Sequence, residues 1–425
     1  MNRLLSALVC SAIAASALPA RAQDFLPPAD RAQAAISAYA EVRAADSYVV
    51  AAQEKARALA AGPHDTQLLL MPLRRSVSDA ATSNGKARYG EWEAQLTRAI
   101  RLPGKAALDR EAGAHGVAAA ELRQGDAEHQ AARTLLASWM GWLRAEAAAA
   151  AARTRCDSLA RERDTIARRL QLGDAARREL DQIAAALAVA QAELRQADAD
   201  VHAQRLALGA NFPQVPVPER APALPEPAPL EDTPQGWIDR IVSRSHEIRA
   251  AEEIAAERDT LARRANADRL PDPTVGLRTF SERDGMERGI GLVVSIPFGG
   301  TRRSAEARAQ AAAAEAARSE TDAMRRDIAR DAQLDVARAQ VAIELWQAAR
   351  EARAANAASL ARQRRAYELG EIGLAERLQA ERLDVESALV ELRARADAHE
   401  AALRVRVDSH ELWHPEDKLE HQDHS

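Results

Sequence analysis

Two long stretches of this chain, residues 104–212 and 298–414, contain no proline. Proline lacks a backbone donor and clashes with the preceding helical turn, so helix interiors exclude it. Ala, Arg and Glu, all strong helix formers, fill these stretches. At about 1.5 Å per residue, segments 104–172 and 301–369 would each span ~100 Å. Few globular folds accommodate such a length. Aromatics are 3% of the 425 residues and charged residues 28%, a balance that suits long packed helices better than a large aromatic core. The net charge is −5, with both signs interspersed and no basic face, which argues against a nucleic-acid partner.

The chain repeats itself over roughly 200 residues, far beyond solenoid periods. "LTRAIRLPGKAALDREAGAHGVAAA" (96–120) aligns with "LVVSIPFGGTRRSAEARAQAAAAEA" (292–316), matching Ile100 with Ile296, Leu102 with Phe298 and Gly104 with Gly300. "RRLQLGDAARRELDQ" (168–182) aligns with "RAYELGEIGLAERLQ" (365–379), matching Gly173 with Gly370 and Glu179 with Glu376. These matches give a first repeat over 23–210, a proline-rich linker over 211–234, a second repeat over 235–412 and a histidine-rich tail over 413–425. The linker composition favours extended polyproline conformations. A heptad seam runs through Leu180, Ile183, Leu187, Ala190, Leu194, Ala197, Val201 and Leu208. A looser one runs through Val385, Leu389, Leu392, Ala396 and Leu403. Both have coiled-coil spacing.

Each repeat also holds a strand pair, expected over about 66–75 and 89–102, and over about 273–281 and 288–298. In the last strand Ile290, Leu292, Val294, Ile296 and Phe298 share one face. In the second, Trp92, Ala94, Leu96, Ile100 and Leu102 do so, interrupted by Arg98. An apolar face backed by a polar one suits a half-buried sheet or a lipid-facing barrel wall. The sequence offers no second sheet to cover these faces. Four strands cannot close a barrel, and open edges are not tolerated in lipid, so several copies would share one wall. Trp92 and Phe280 are the candidates for an aromatic girdle.

The N-terminus reads as a secretory signal over 1–22, with Arg3, an apolar stretch and a small-residue "ARA" site before Gln23. Cys10 lies inside the apolar stretch after the bulky Val9, so no lipid anchor is expected. Removal of the signal leaves Cys156 as the lone thiol.

The signal, the repeat, the strand pairs and the blocks "ADRLPDPTVGL", "GLVVSIPFGGTRRSAEARAQ" and "YELGEIGLAERLQAE" resemble the TolC-type outer membrane efflux proteins. The resemblance implies a mainly α, α+β fold: a homotrimer with a periplasmic α-helical coiled-coil barrel, each protomer giving four strands to a shared outer-membrane β-barrel in the lipid. It implies a periplasmic adaptor (membrane fusion) protein and an inner-membrane pump as partners. Leu172, Gly173, Leu369, Gly370, Gly373 and Leu374 fall at the adaptor-facing tips, and Glu376 and Gln379 at the pore constriction. Trp92, Leu96, Ile290, Leu292, Val294, Ile296 and Phe298 would face lipid.

The short chain and the His tail look like the heavy-metal (cobalt-zinc-cadmium or copper) branch. His410, His414, His421 and His424 are the candidate metal contacts, since imidazole suits such cations. Drug export through the same duct is the alternative cargo, and a periplasmic coiled-coil adaptor or scaffold the alternative class. No catalytic constellation assembles and no cofactor is expected. "GGTRR" (299–303) lacks Walker spacing, and His202, His246 and His399 read as surface residues.

Overall fold

The computed structural model of the protein describes residues 25–78 and 86–414. The signal segment with Cys10, and the tail residues His421 and His424, lie outside the described residues. Among the described residues the first half runs α1 (Ala29–Ser37), α2 (Ala40–Ala61), β1 (Gln67–Ser78), β2 (Lys86–Ala99), α3 (Lys105–Gln171) and α4 (Arg177–Asn211). The second runs α5 (Pro234–Arg244), α6 (His246–Ala267), β3 (Thr274–Glu282), β4 (Glu287–Ser295), α7 (Thr301–Glu368) and α8 (Leu374–Asp408). The fold is mainly α with one four-stranded antiparallel sheet, as the sequence pattern led us to expect.

Each proline-free stretch opens with a long helix, α3 or α7, of 67 and 68 residues. Each folds back on a shorter helix, α4 or α8, and α6 packs between α3 and α7. The heptad seam on α4 is real: Ile183, Leu187, Ala190 and Leu208 are buried. In α8, Ala396 and Leu403 are buried, while Val385, Leu389 and Leu392 are half-exposed. No described helix is long and apolar enough to cross a membrane.

Five of the fourteen aromatics are gathered in one place. Phe25, Trp139, Trp142, Phe212 and Trp413 share one buried cluster in the middle of the helical body. Trp139 packs edge-on against Trp142 at 4.8 Å and donates its Nε1–H to the Phe25 carbonyl at 2.8 Å. The proline-rich segment joins this body as a fastened strap. Phe212 and Val215 are buried, Arg205 donates to the carbonyls of Pro218 and Glu219, and Arg395 donates to that of Leu224. Each bond removes freedom that an unattached linker would keep.

A polar neck joins the helices to the sheet. Lys105, at the start of α3, is 2% exposed. Its ammonium donates to the Leu270 carbonyl (2.7 Å), Asp272 Oδ1 (2.8 Å) and Asp268 Oδ1 (2.8 Å). Asp272 also accepts from His64 Nε2 at 2.9 Å and from the Leu102 N–H at 3.0 Å. Burial alone would raise the pKa of Asp272, but the hydrogen bonds from Lys105, His64 and Leu102 override it and hold the carboxyl at about 2. Nearby, Arg101 caps the last carbonyls of α2 at Leu59, Ala60 and Ala61 and pairs with Asp109 at 2.9 Å. The neck therefore ties α2, β2, α3 and the approach to β3 at one level.

Candidate functional site

The sheet carries the first candidate surface. Its order is β1-β2-β3-β4, with β1 and β4 as open edges. Register sets Leu68 opposite Leu96, Leu96 opposite Leu277, and Leu277 opposite Leu292. One leucine from each strand thus forms a row straight across the sheet. The flanking rows of the same face hold Leu70, Ala94, Thr279 and Ile290, and, toward the helices, Arg98, Val275 and Val294. Leu292 is 83% exposed, and Trp92, Leu96, Ile290 and Val294 are exposed too. Among the described residues nothing covers this face.

The other face is polar over β2 and β3. Glu93 pairs with Arg278 at 2.7 Å, and Arg75 with Glu91 at 2.6 Å. Phe280 belongs here: it shares a face with Glu93 and Arg278 and lies over Gly289 of β4. Of the two girdle candidates, only Trp92 sits on the apolar side. Ile296 and Phe298 are exposed but follow Ser295, the last paired residue of β4, because Pro297 has no N–H for a ladder.

The second candidate surface lies at the far ends of the helical hairpins, where two turns are built alike. Helix α3 stops at Leu172, then Gly173 adopts φ +83°. The Asp174 N–H donates to the Arg169 carbonyl at 2.8 Å and the Gly173 N–H to that of Leu170 at 3.1 Å. Helix α7 stops at Leu369, Gly370 takes φ +76°, and Glu371 and Gly370 bond Ala366 and Tyr367 at 2.9 and 3.1 Å. Both are Schellman endings, in which a left-handed residue satisfies the last carbonyls. Leu172 and Leu369 are left exposed, while Gly373 caps α8.

Leu374 is different. It is 3% exposed and packs with Cys156, Leu159, Ile166 and Ile183, joining one hairpin end to the other. Arg377 reinforces that junction by pairing with Glu162 of α3. Glu376 stays exposed in the first turn of α8, and Gln379 lines a groove of about 920 Å³ between the hairpins. A Cβ at Gly370 would meet no neighbour within 4 Å, so the penalty of adding one is conformational. Gly370→Val should destabilise this end by about 1–2 kcal/mol. The expected result is faster hydrogen exchange over 366–374 with the sheet amides unchanged; equal exchange would mean that the turn does not depend on glycine.

The third site was only half legible. Helix α8 ends in the same Schellman pattern, with His410 N–H bonding Val407 at 3.0 Å and Glu411 N–H bonding Arg406 at 2.8 Å. Here the left-handed residue is His410 itself, at φ +60°. That backbone costs a residue with a Cβ roughly 1 kcal/mol or more. His410 stacks on His414 at 4.2 Å between ring centroids and on His246 at 4.7 Å. His246 is the missed member, 168 residues before His414. It stands at the start of α6 because Ser245 caps that helix, its Oγ accepting from the Ile248 N–H at 3.2 Å. Its ring lies over Gly125 of α3, where a Cβ would come within 2.9 Å of Cε1.

Burial, then the neighbouring His414 and His129 rings, lowers the pKa of His246 to about 4. Burial, then His414 and His246, lowers that of His410 to about 2. Both rings are uncharged at neutral pH. Beside them, burial would raise the pKa of Asp408, yet hydrogen bonds from His129 and Arg133 hold it below its ordinary value.

No protein-family model matches the chain, and no curated protein matches it in sequence. Solved structures match it closely in shape. CusC, whose crystal structures follow folding and transmembrane channel formation, superposes with a TM-score of 0.75 at 15% identity, over 90% of this chain and 91% of that one. The CmeC outer membrane channel of Campylobacter jejuni gives 0.74 at 13%, over 91% and 86%. The open-state MtrE outer membrane channel of Neisseria gonorrhoeae gives 0.69 at 16%, over 91% and 90%. The chain has the TolC-like channel fold.

Proposed function

We propose that the chain is the outer-membrane exit duct of a tripartite efflux system. The observation that carries this reading is the leucine row across a sheet with two open edges, on a body of ~100 Å helices. A lone sheet with an uncovered apolar face and unpaired edges is unstable in lipid and adhesive in water. Three copies, joined edge to edge, would make a closed twelve-stranded wall. In this reading the signal segment is removed on export, 23–210 and 235–412 are the two repeats, and the helices form a tunnel through the periplasm.

The hairpin ends meet the periplasmic adaptor through Leu172, Gly173, Leu369, Gly370 and Gly373, with Leu374 beneath as packing. The adaptor in turn joins an inner-membrane pump. Three copies of Glu376 line the constriction as an anionic ring, with Gln379 one turn on, which favours cations. The duct itself does no chemistry. Heavy-metal cations are the cargo we assign, placing the chain in the metal-exporting branch.

Two measurements test this. The mature protein should fractionate with the outer membrane as a heat-modifiable oligomer; recovery as soluble monomer would sink the duct. Deleting the gene should raise sensitivity to zinc, cobalt, cadmium or copper several-fold. Unchanged metal tolerance with lost drug tolerance would instead assign drugs as cargo.

A further inference from the structure

The meeting of His246, His410 and His414 has no part in the duct, the tips or the constriction. One ligand nitrogen from each of the three lies within 4.8 Å of the others, a three-histidine grouping that could hold a metal ion. His246 Nε2 is 3.2 Å from His414 Nε2. Two nitrogens on one tetrahedral zinc, at about 2.0–2.1 Å from the metal, stand roughly 3.3 Å apart.

Three further observations point the same way. His246 is 6% exposed, and its Nδ1 has no hydrogen-bond partner; the buried Nδ1 of His410 has none either. Buried polar nitrogens without partners are uncommon in folded proteins. His410 holds a left-handed backbone at a helix end built like the two that use glycine. A residue kept under such strain is a reason to look for a role. A cavity of about 50 Å³ adjoins His410, Ser245 and Asp408, room for roughly one water or hydrated ligand position.

We propose that His246, His410 and His414 form a three-histidine site for a divalent transition cation such as zinc or cobalt, fastening the C-terminal end of α8 to the start of α6. Neutral imidazoles are the ligands such ions prefer, and a fourth position stays open to solvent. Stacked rings direct their lone pairs side by side, so binding turns them toward a common point. His410 and His414 are only partly buried. The carboxylates of Glu247 and Asp408 offset the positive charge of Arg133, Arg244 and Arg249 around the site. The site is independent of the cargo assignment, because it is measured on the purified protein without transport.

The experiment titrates the metal-free full-length protein with Zn2+ by calorimetry and with Co2+ by its visible absorption. One cation per chain is expected, with the intense band of a tetrahedral cobalt site. His410→Gly is the decisive variant. It removes a ligand and at the same time relaxes the backbone, so it should fold at least as well as the wild type without metal. It should bind roughly tenfold or more weakly, as should His246→Gln. Replacing His421 and His424 together should leave binding unchanged. The proposal is overturned if the wild type binds neither ion, if His410→Gly binds as the wild type does, or if only the tail double variant loses binding.

Discussion

Leu292→Arg is expected to abolish assembly of the outer-membrane form. The residue stands in mid-strand on the uncovered face, in the row with Leu68, Leu96 and Leu277. An arginine facing lipid near the bilayer midplane costs about 2–4 kcal/mol. In the proposed trimer three symmetry-related copies would incur that cost together, about 6–12 kcal/mol, comparable with the whole marginal stability of a folded domain. Gly291→Glu, one residue away at the same depth, turns its carboxylate to the polar face directly opposite Arg278. A Cβ there meets nothing within 4 Å, so that variant should assemble. The readout is the heat-modifiable oligomer in the outer-membrane fraction. Equal yields from the two variants would mean that the leucine row does not face lipid.

Lys105→Met should destabilise the neck by about 3–5 kcal/mol, the usual result of removing one partner from a buried ion pair. The ammonium satisfies Asp272, Asp268 and the Leu270 carbonyl at once, and methionine satisfies none of them. Chemical denaturation of the detergent-solubilised protein measures the loss. Adding Asp272→Asn should recover part of it, because an amide no longer strands a charge. The pH dependence follows from the same carboxylate. Its pKa is about 2 in the fold against 3.8 ordinarily, so the unfolded chain binds the proton first. The stabilisation is present above about pH 4 and lost as pH falls through 2, so the gap between wild type and variant should narrow over that window. A variant as stable as the wild type at pH 7 would show that water already serves these carboxylates.

Periodicity made the helices, the seams and the sheet faces legible, because each depends on spacing within one segment. The glycines at 173 and 370 were legible for the same reason, as local breaks in a repeated pattern. What escaped was coincidence between distant segments. His246 looked like a surface residue because nothing near it in sequence hints at His410 and His414. The neck was hidden likewise: nothing in the sequence pairs Lys105 with Asp272, and only folding brings the two repeats to one level. The linker misled in another way. Its prolines correctly excluded helix and strand, but composition does not say whether an extended segment is free or fastened. Phe280 was misassigned because girdle candidates were chosen by residue type, while the face is fixed by register.

The strand order has a consequence for gene dosage. The two open edges come from opposite halves of the chain, β1 from the first and β4 from the second, so in the proposed trimer a protomer would join its neighbours head to tail. Such a link has no spare valence: a copy whose β4 cannot pair still offers β1 and draws a sound neighbour into a ring that never closes. With defective and normal chains in equal amounts and three chains to a ring, only about one ring in eight is free of the defect. Damage at one edge would therefore behave as dominant poisoning rather than simple loss, while a defect that keeps the chain from folding at all would behave as recessive.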